Sequence, residues 1–137
     1  MNTENLPIGQ AFGLRLHGTD LVLDGRGGPG DIDTEVIVYT NRDDDNDNQR
    51  WIYDGRLIRN VRSGKVLSVN RIAAGELVHI SGDTGRNAQN FTYDRLMIFP
   101  TDDDTYVLTV FGHKAPSARI VLAERDGSDT QRWEIIY

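Results

Sequence analysis

One short motif occurs three times, as Gln49-Arg50-Trp51, Gln89-Asn90-Phe91 and Gln131-Arg132-Trp133, at spacings of 40 and 42 residues. A period near forty residues marks one supersecondary unit copied until the copies bury a common core. Two further landmarks keep the same order ahead of each motif. A Val-Leu pair recurs as Val22-Leu23, Val66-Leu67 and Val107-Leu108, and an apolar run recurs as Val36-Ile37-Val38, Leu77-Val78 and Ile120-Val121-Leu122. A unit of this size rarely stands alone without a disulfide or a metal, so the 137 residues read as one domain over 1–137. Its repeats fall at about 12–54, 55–95 and 96–137.

Composition removes several classes of function. The chain has no cysteine, which excludes disulfides, zinc–thiolate sites and cysteine nucleophiles together. Its formal net charge of -6 disfavours a protein that tracks nucleic-acid phosphates, since that task needs clustered Lys and Arg. Met1 to Gly9 is polar and no apolar stretch approaches the ~20 residues of a membrane span. The expectation is a soluble protein, cytoplasmic or released without a signal peptide, with no membrane insertion.

Two strings imitate cofactor or metal motifs. Gly25 to Gly30 spells a dinucleotide-type glycine pattern, but Pro29 and Asp31-Ile32-Asp33 offer no following helix. Asp43, Asp45, Asp47 and Asp54 fall at calcium-loop positions, yet Asn48 stands where the sharp turn needs Gly, so an acidic hairpin is the better reading. His17, His79 and His113 are scattered without ligand spacing. No metal and no cofactor is expected.

Within each copy the apolar residues come in short β-branched runs separated by Gly, Asn and Asp, without a sustained helical stripe. The first copy places strands near Phe12 to Leu16, Leu21 to Asp24, Glu35 to Tyr39 and Trp51 to Tyr53. Four strands per copy make twelve. Twelve short strands in three equal copies fit a closed pseudo-threefold assembly, because closure removes exposed edges. The predicted fold is therefore all-β, a β-trefoil.

The three QxW or QxF motifs, each trailing a Val-Leu pair and an apolar run, resemble the ricin B-chain type lectins, also called carbohydrate-binding module family 13. The resemblance covers about Phe12 to Tyr137. It implies that Gln49, Trp51, Gln89, Phe91, Gln131 and Trp133 are structural, the aromatics filling the core and the glutamines tying down nearby backbone. It also implies sugar binding in shallow pockets, one potential pocket per copy.

A galactose-like sugar needs an aromatic plate under its C–H face and a charged acceptor with an amide at its hydroxyl edge. The resemblance carries Asp24, Tyr39 and Asn48 into those roles, with Gln49 supporting and the backbone around Gly27 passing close to the ligand. The second copy has Ser68 and Ala88 where the first has Asp24 and Asn48, with Ile80 or Ser81 near the plate; the third has Thr109 and Thr130, with Leu122 or Ala123. One working site, in the first repeat, is therefore expected. The partners implied are glycans ending in galactose or N-acetylgalactosamine, in a recognition or defence role, with avidity supplied if the protein forms a homodimer. Only one carboxylate is placed by the pattern, which argues against a glycosidase, and the protein is read as non-enzymatic. The alternative is a β-trefoil protease inhibitor acting through a protruding loop, Asp43 to Asn48 or Gly25 to Asp31.

Overall fold

Short β-branched runs become strands where the chain can turn sharply between them. Gly18 and Gly64 supply two such turns, with φ of 76° and 73°, which a side-chain-bearing residue adopts at a cost. The computed structural model describes residues 5–26 and 34–137. Twelve strands lie among them. The first repeat holds β1 (Gly13–Leu16), β2 (Leu21–Gly25), β3 (Thr34–Thr40) and β4 (Trp51–Tyr53). The second holds β5 (Ile58–Asn60), β6 (Val66–Ser68), β7 (His79–Ser81) and β8 (Phe91–Asp94). The third holds β9 (Met97–Pro100), β10 (Tyr106–Val110), β11 (Ile120–Glu124) and β12 (Trp133–Ile136). The four strands expected in the first copy agree with these to within one residue at each end.

Six strands close a barrel. β1 pairs with β12, β4 with β5 and β8 with β9, all antiparallel. The remaining seams are made by one repeated backbone bond. The motif aromatic donates its N–H to a carbonyl at the start of its own repeat: Trp51 to Phe12 at 2.8 Å, Phe91 to Arg56 at 3.0 Å, and Trp133 to Leu96 at 2.7 Å. Two seams carry a further bond, from the Tyr53 hydroxyl to the Phe91 carbonyl at 2.8 Å and from the Tyr93 hydroxyl to the Trp133 carbonyl at 2.7 Å. Ile135 takes the matching place in the third repeat, and there the Phe12 N–H donates to the Trp51 carbonyl at 3.0 Å instead.

Three hairpins, β2–β3, β6–β7 and β10–β11, cap one end of the barrel and pair with one another around the pseudo-threefold axis. Val38 donates to Ala118, Leu122 donates to Glu76, and Ile80 lies opposite Thr34, three versions of one contact. The core runs along this axis. Trp51, Phe91 and Trp133 are fully buried in it with Leu23, Leu67 and Leu108. Each indole N–H is satisfied by the backbone, Trp51 Nε1 by Leu23 O at 3.2 Å and Trp133 Nε1 by Leu108 O at 3.1 Å. One landmark sits differently from its reading in the sequence. The run Leu77-Val78 precedes β7, and its inward residues are Val78 and Ile80, while Leu77 is 45% exposed. Strand alternation explains this, because His79 between them faces outward. No helix among the described residues is long and apolar enough to cross a membrane.

Candidate functional site

The glutamine of each motif sits at the end of a 3-10 turn, at Asp47–Gln49, Asn87–Gln89 and Asp129–Gln131. All three glutamines do the same work. Their Oε1 atoms accept the backbone N–H of Arg42, Thr84 and Asp126 at 3.0, 3.0 and 2.9 Å, and their Nε2 atoms donate to the carbonyls of Thr40, Gly82 and Glu124. A buried amide whose groups are all used holds the turn in one place. The three repeats therefore differ only in what surrounds this constant frame.

In the first repeat the frame positions a carboxylate. Asp24 lies on β2, opposite Ile37 of β3, and is 3% exposed. Asn48 Nδ2 donates to its Oδ1 at 2.8 Å, and Gln49 Nε2 to its Oδ2 at 3.1 Å. Among the described residues each oxygen thus has one donor, which leaves it one further acceptor direction. Burial pushes the Asp24 carboxyl above the usual carboxylate range, and the bonds from Gln49 and Asn48 with the nearby charges of Arg42 and Arg26 offset this only in part. Tyr39, opposite Val22 in the same hairpin, shares a face with Ile37 and is 39% exposed. It therefore stands as the diagonal neighbour of Asp24 on one side of the sheet.

Asp24, Tyr39 and Asn48 meet at one open cavity of about 290 Å³, which Arg26, Ile37 and Arg42 also line. Gln49 does not line it; at 2% exposed it reaches the cavity only through Asp24. Gly27 lies outside the described residues. Sequence reasoning missed Arg26, Ile37 and Arg42. Two of them were within reach of strand alternation, since Ile37 lies two residues before Tyr39 and Arg26 two after Asp24. Arg42 had no such signal, because it leaves β3 through a turn and folds back to donate from Nη2 to Asn48 Oδ1 at 2.6 Å and Asp45 O at 3.0 Å.

The matching places elsewhere are differently equipped. Ser68 faces His79 and Thr109 faces Val121 in the register that sets Asp24 against Ile37. Ser68 Oγ is buried without a hydrogen-bond partner among the described residues, and Thr109 Oγ1 is spent on Val107 O at 2.9 Å and Gln131 Nε2 at 3.3 Å. The same register puts Ser81 and Ala123 where Tyr39 stands. A larger cavity of about 550 Å³ lies between β3, β7 and the turn before β7. Its carboxylates are already engaged, Glu35 by Arg119 at 2.8 Å and Glu76 by Arg71 at 3.2 Å, and no Phe, Tyr or Trp among the described residues lines it. Among the calcium-loop aspartates, Asp54 Oδ1 accepts the N–H groups of Arg56 and Leu57, and Asp45 pairs with Arg62 at 3.1 Å.

Comparison with known proteins bears on both fold and family. The family profile described as ricin-type beta-trefoil lectin domain matches residues 11–133. Among solved structures, the mdaA-1 domain superposes with a TM-score of 0.85 at 19% identity, covering 98% of this chain and 93% of that one. The designed threefold-symmetric protein ThreeFoil superposes with a TM-score of 0.80 at 20% identity, covering 93% and 98%. The C-half of the earthworm R-type lectin, solved in complex with GalNAc, superposes with a TM-score of 0.80 at 18% identity, covering 92% and 97%. No curated protein matches the chain by sequence.

Proposed function

Since the chain belongs to the ricin-type β-trefoil lectin family, we propose that it is a non-catalytic carbohydrate-binding protein recognising glycans that end in galactose or N-acetylgalactosamine, through one site in its first repeat. The observation that carries this reading is the Asp24 carboxylate. It is buried, held by two amides, and still offers one acceptor direction on each oxygen toward an open cavity. A side chain held only for packing gains nothing from such an arrangement, because burying a carboxylate costs energy that vicinal hydroxyls can repay. Asp24 would accept from two hydroxyls, Asn48 would meet a neighbouring one, and the Tyr39 ring would lie against the C–H face. The GalNAc bound by the earthworm lectin half supports the sugar class.

The site is shallow and single, so a lone monosaccharide is expected to bind with Kd on the order of millimolar, about 4 kcal/mol. Two copies paired on a glycan-coated surface would raise this by effective concentration. The segment from Asp43 to Asn48, the candidate inhibitory loop, spends polar groups on the site: Asn46 Nδ2 donates to Arg42 O at 2.9 Å and Asn48 is committed to Asp24. A glycan-array screen of the wild type beside Asp24→Ala tests the proposal, with thermal melts to check folding. Binding to galactose- or GalNAc-terminated glycans that the variant loses while still melting cooperatively supports it. Absence of glycan binding by the wild type overturns it.

A further inference from the structure

Among the described residues, the cavity that holds Asp24 is lined by two arginines, Arg26 and Arg42, against one carboxylate. This surplus of positive charge stands out in a chain of net charge -6. It is also confined to one repeat. Arg42 occupies the place whose N–H is held by the motif glutamine, and that place is Thr84 in the second repeat and Asp126 in the third. Arg26 lies two residues past Asp24, where the corresponding residues are Asn70 and Phe111. Both arginines therefore accompany the one acceptor set and neither of its degenerate counterparts.

Their hydrogen bonds leave most of their donor capacity open. Among the described residues the Arg42 guanidinium donates only through Nη2, and only to the neutral acceptors Asn48 Oδ1 and Asp45 O. Neither Arg42 nor Arg26 forms an ion pair within 4.0 Å among the described residues, and the exposed Asp45 carboxylate turns to Arg62. A guanidinium carries five N–H donors in a planar fork suited to a two-oxygen anion. A neutral galactose offers that fork only uncharged hydroxyl and ring oxygens, which make weaker bonds than an anion would. Holding Asn48 requires one nitrogen of Arg42 and no part of Arg26.

Resting on the galactose-type reading, we infer that the preferred ligand carries an anionic substituent, a sulfate ester or a carboxylate, which the Arg26 and Arg42 guanidinium groups receive while Asp24 binds the hydroxyl edge. The two sources of that anion share one chemistry and differ in where it sits on the sugar.

Calorimetric titration of the intact protein with lactose, 3′-sulfated lactose, 6′-sulfated lactose and sialylated lactose, at low and at high salt, separates the outcomes. We expect at least one charged lactose to bind roughly tenfold more tightly than lactose at low salt, with the advantage shrinking at high salt. In Arg26→Gln and in Arg42→Gln, checked by thermal melt, the ratio of charged to neutral affinity falls toward one. Whichever charged sugar leads identifies the anion. Charged sugars binding no better than lactose overturn this inference and leave the galactose reading intact. Tight binding of sulfated lactose that survives Asp24→Ala also overturns it, since the anion then binds without the sugar site. If lactose and every charged lactose fail to bind, both readings fall together.

Discussion

Asn48 donates its side-chain amide to Asp24 Oδ1 at 2.8 Å across 24 residues of chain, tying the 3-10 turn before β4 to the second strand of the first repeat. The bond has two consequences. It fixes the orientation of a carboxylate that lines the cavity, and it makes the site depend on whatever holds Asn48. Arg42 holds the Asn48 amide oxygen, and Asn60 Nδ2 donates to the Asn48 backbone carbonyl at 3.0 Å. The site is therefore sensitive also to Asn60, which does not line the cavity.

The pH dependence of binding follows from burial. The Asp24 carboxyl is pushed above the usual carboxylate range, so as pH falls it takes up a proton, and loses its acceptor role, earlier than an exposed Asp would. Sugar affinity should fall on acidification beginning above the ordinary Asp range. The contribution of Asp24 to folding has the opposite sign. Its folded pKa exceeds its unfolded one, so stability from this group rises as pH falls through that window. Glu134 behaves in the ordinary way: the hydrogen bond from His17 holds its carboxyl low, and that stability is lost only as pH falls through the lowered value. Lactose titrations and melts run across the same pH series check this, and affinity that stays flat into the ordinary Asp range contradicts it.

Gly25→Ala should weaken both the fold and the site. A Cβ at this position would stand 2.8 Å from Asn60 Nδ2 and 3.1 Å from Ile80 Cδ1. Asn60 is fixed by its bond to the Asn48 carbonyl and by the Ser63 N–H on its Oδ1 at 3.2 Å, so the displacement passes to Asn48. Overpacking of this kind costs about 1–3 kcal/mol. A melt and a lactose titration matching the wild type would refute the coupling.

Ser68→Ala should leave stability unchanged or raise it by about 1 kcal/mol. The Ser68 hydroxyl is buried without a partner, so deleting it removes an uncompensated polar group and breaks no bond seen among the described residues. Chemical denaturation measures this directly. A clear loss of stability would mean the hydroxyl does have a partner.

Trp51→Phe should lower stability and leave sugar affinity close to the wild type. The substitution strips the N–H that Leu23 O accepts at 3.2 Å and leaves a small void beside fully buried neighbours, about 2–3 kcal/mol together. The phenyl ring of Phe91 in the same role in the second repeat indicates that the fold survives. Lost affinity with an unchanged melt would instead make Trp51 a ligand contact.

The pseudo-threefold β-trefoil was legible in the chain because a repeated motif is a local signal, carried at constant spacing by residues whose burial is the same in each copy. Asp24, Tyr39 and Asn48 came forward as candidates through the resemblance to the lectin family, and the structure brings the three to one cavity. What the chain could not display was which groups those residues meet. The use of every polar atom of Gln49, the return of Arg42 onto Asn48, and the seam that brings Phe12 to Trp51 each join positions that no spacing rule relates. Periodicity records which face of a strand a side chain takes, and so determined the fold, while the candidate acceptor set came from the family resemblance. The tertiary structure decided the charge and the wall of the cavity, because hydrogen bonds and ion pairs depend on distances set only when the hairpin and the turn are packed together.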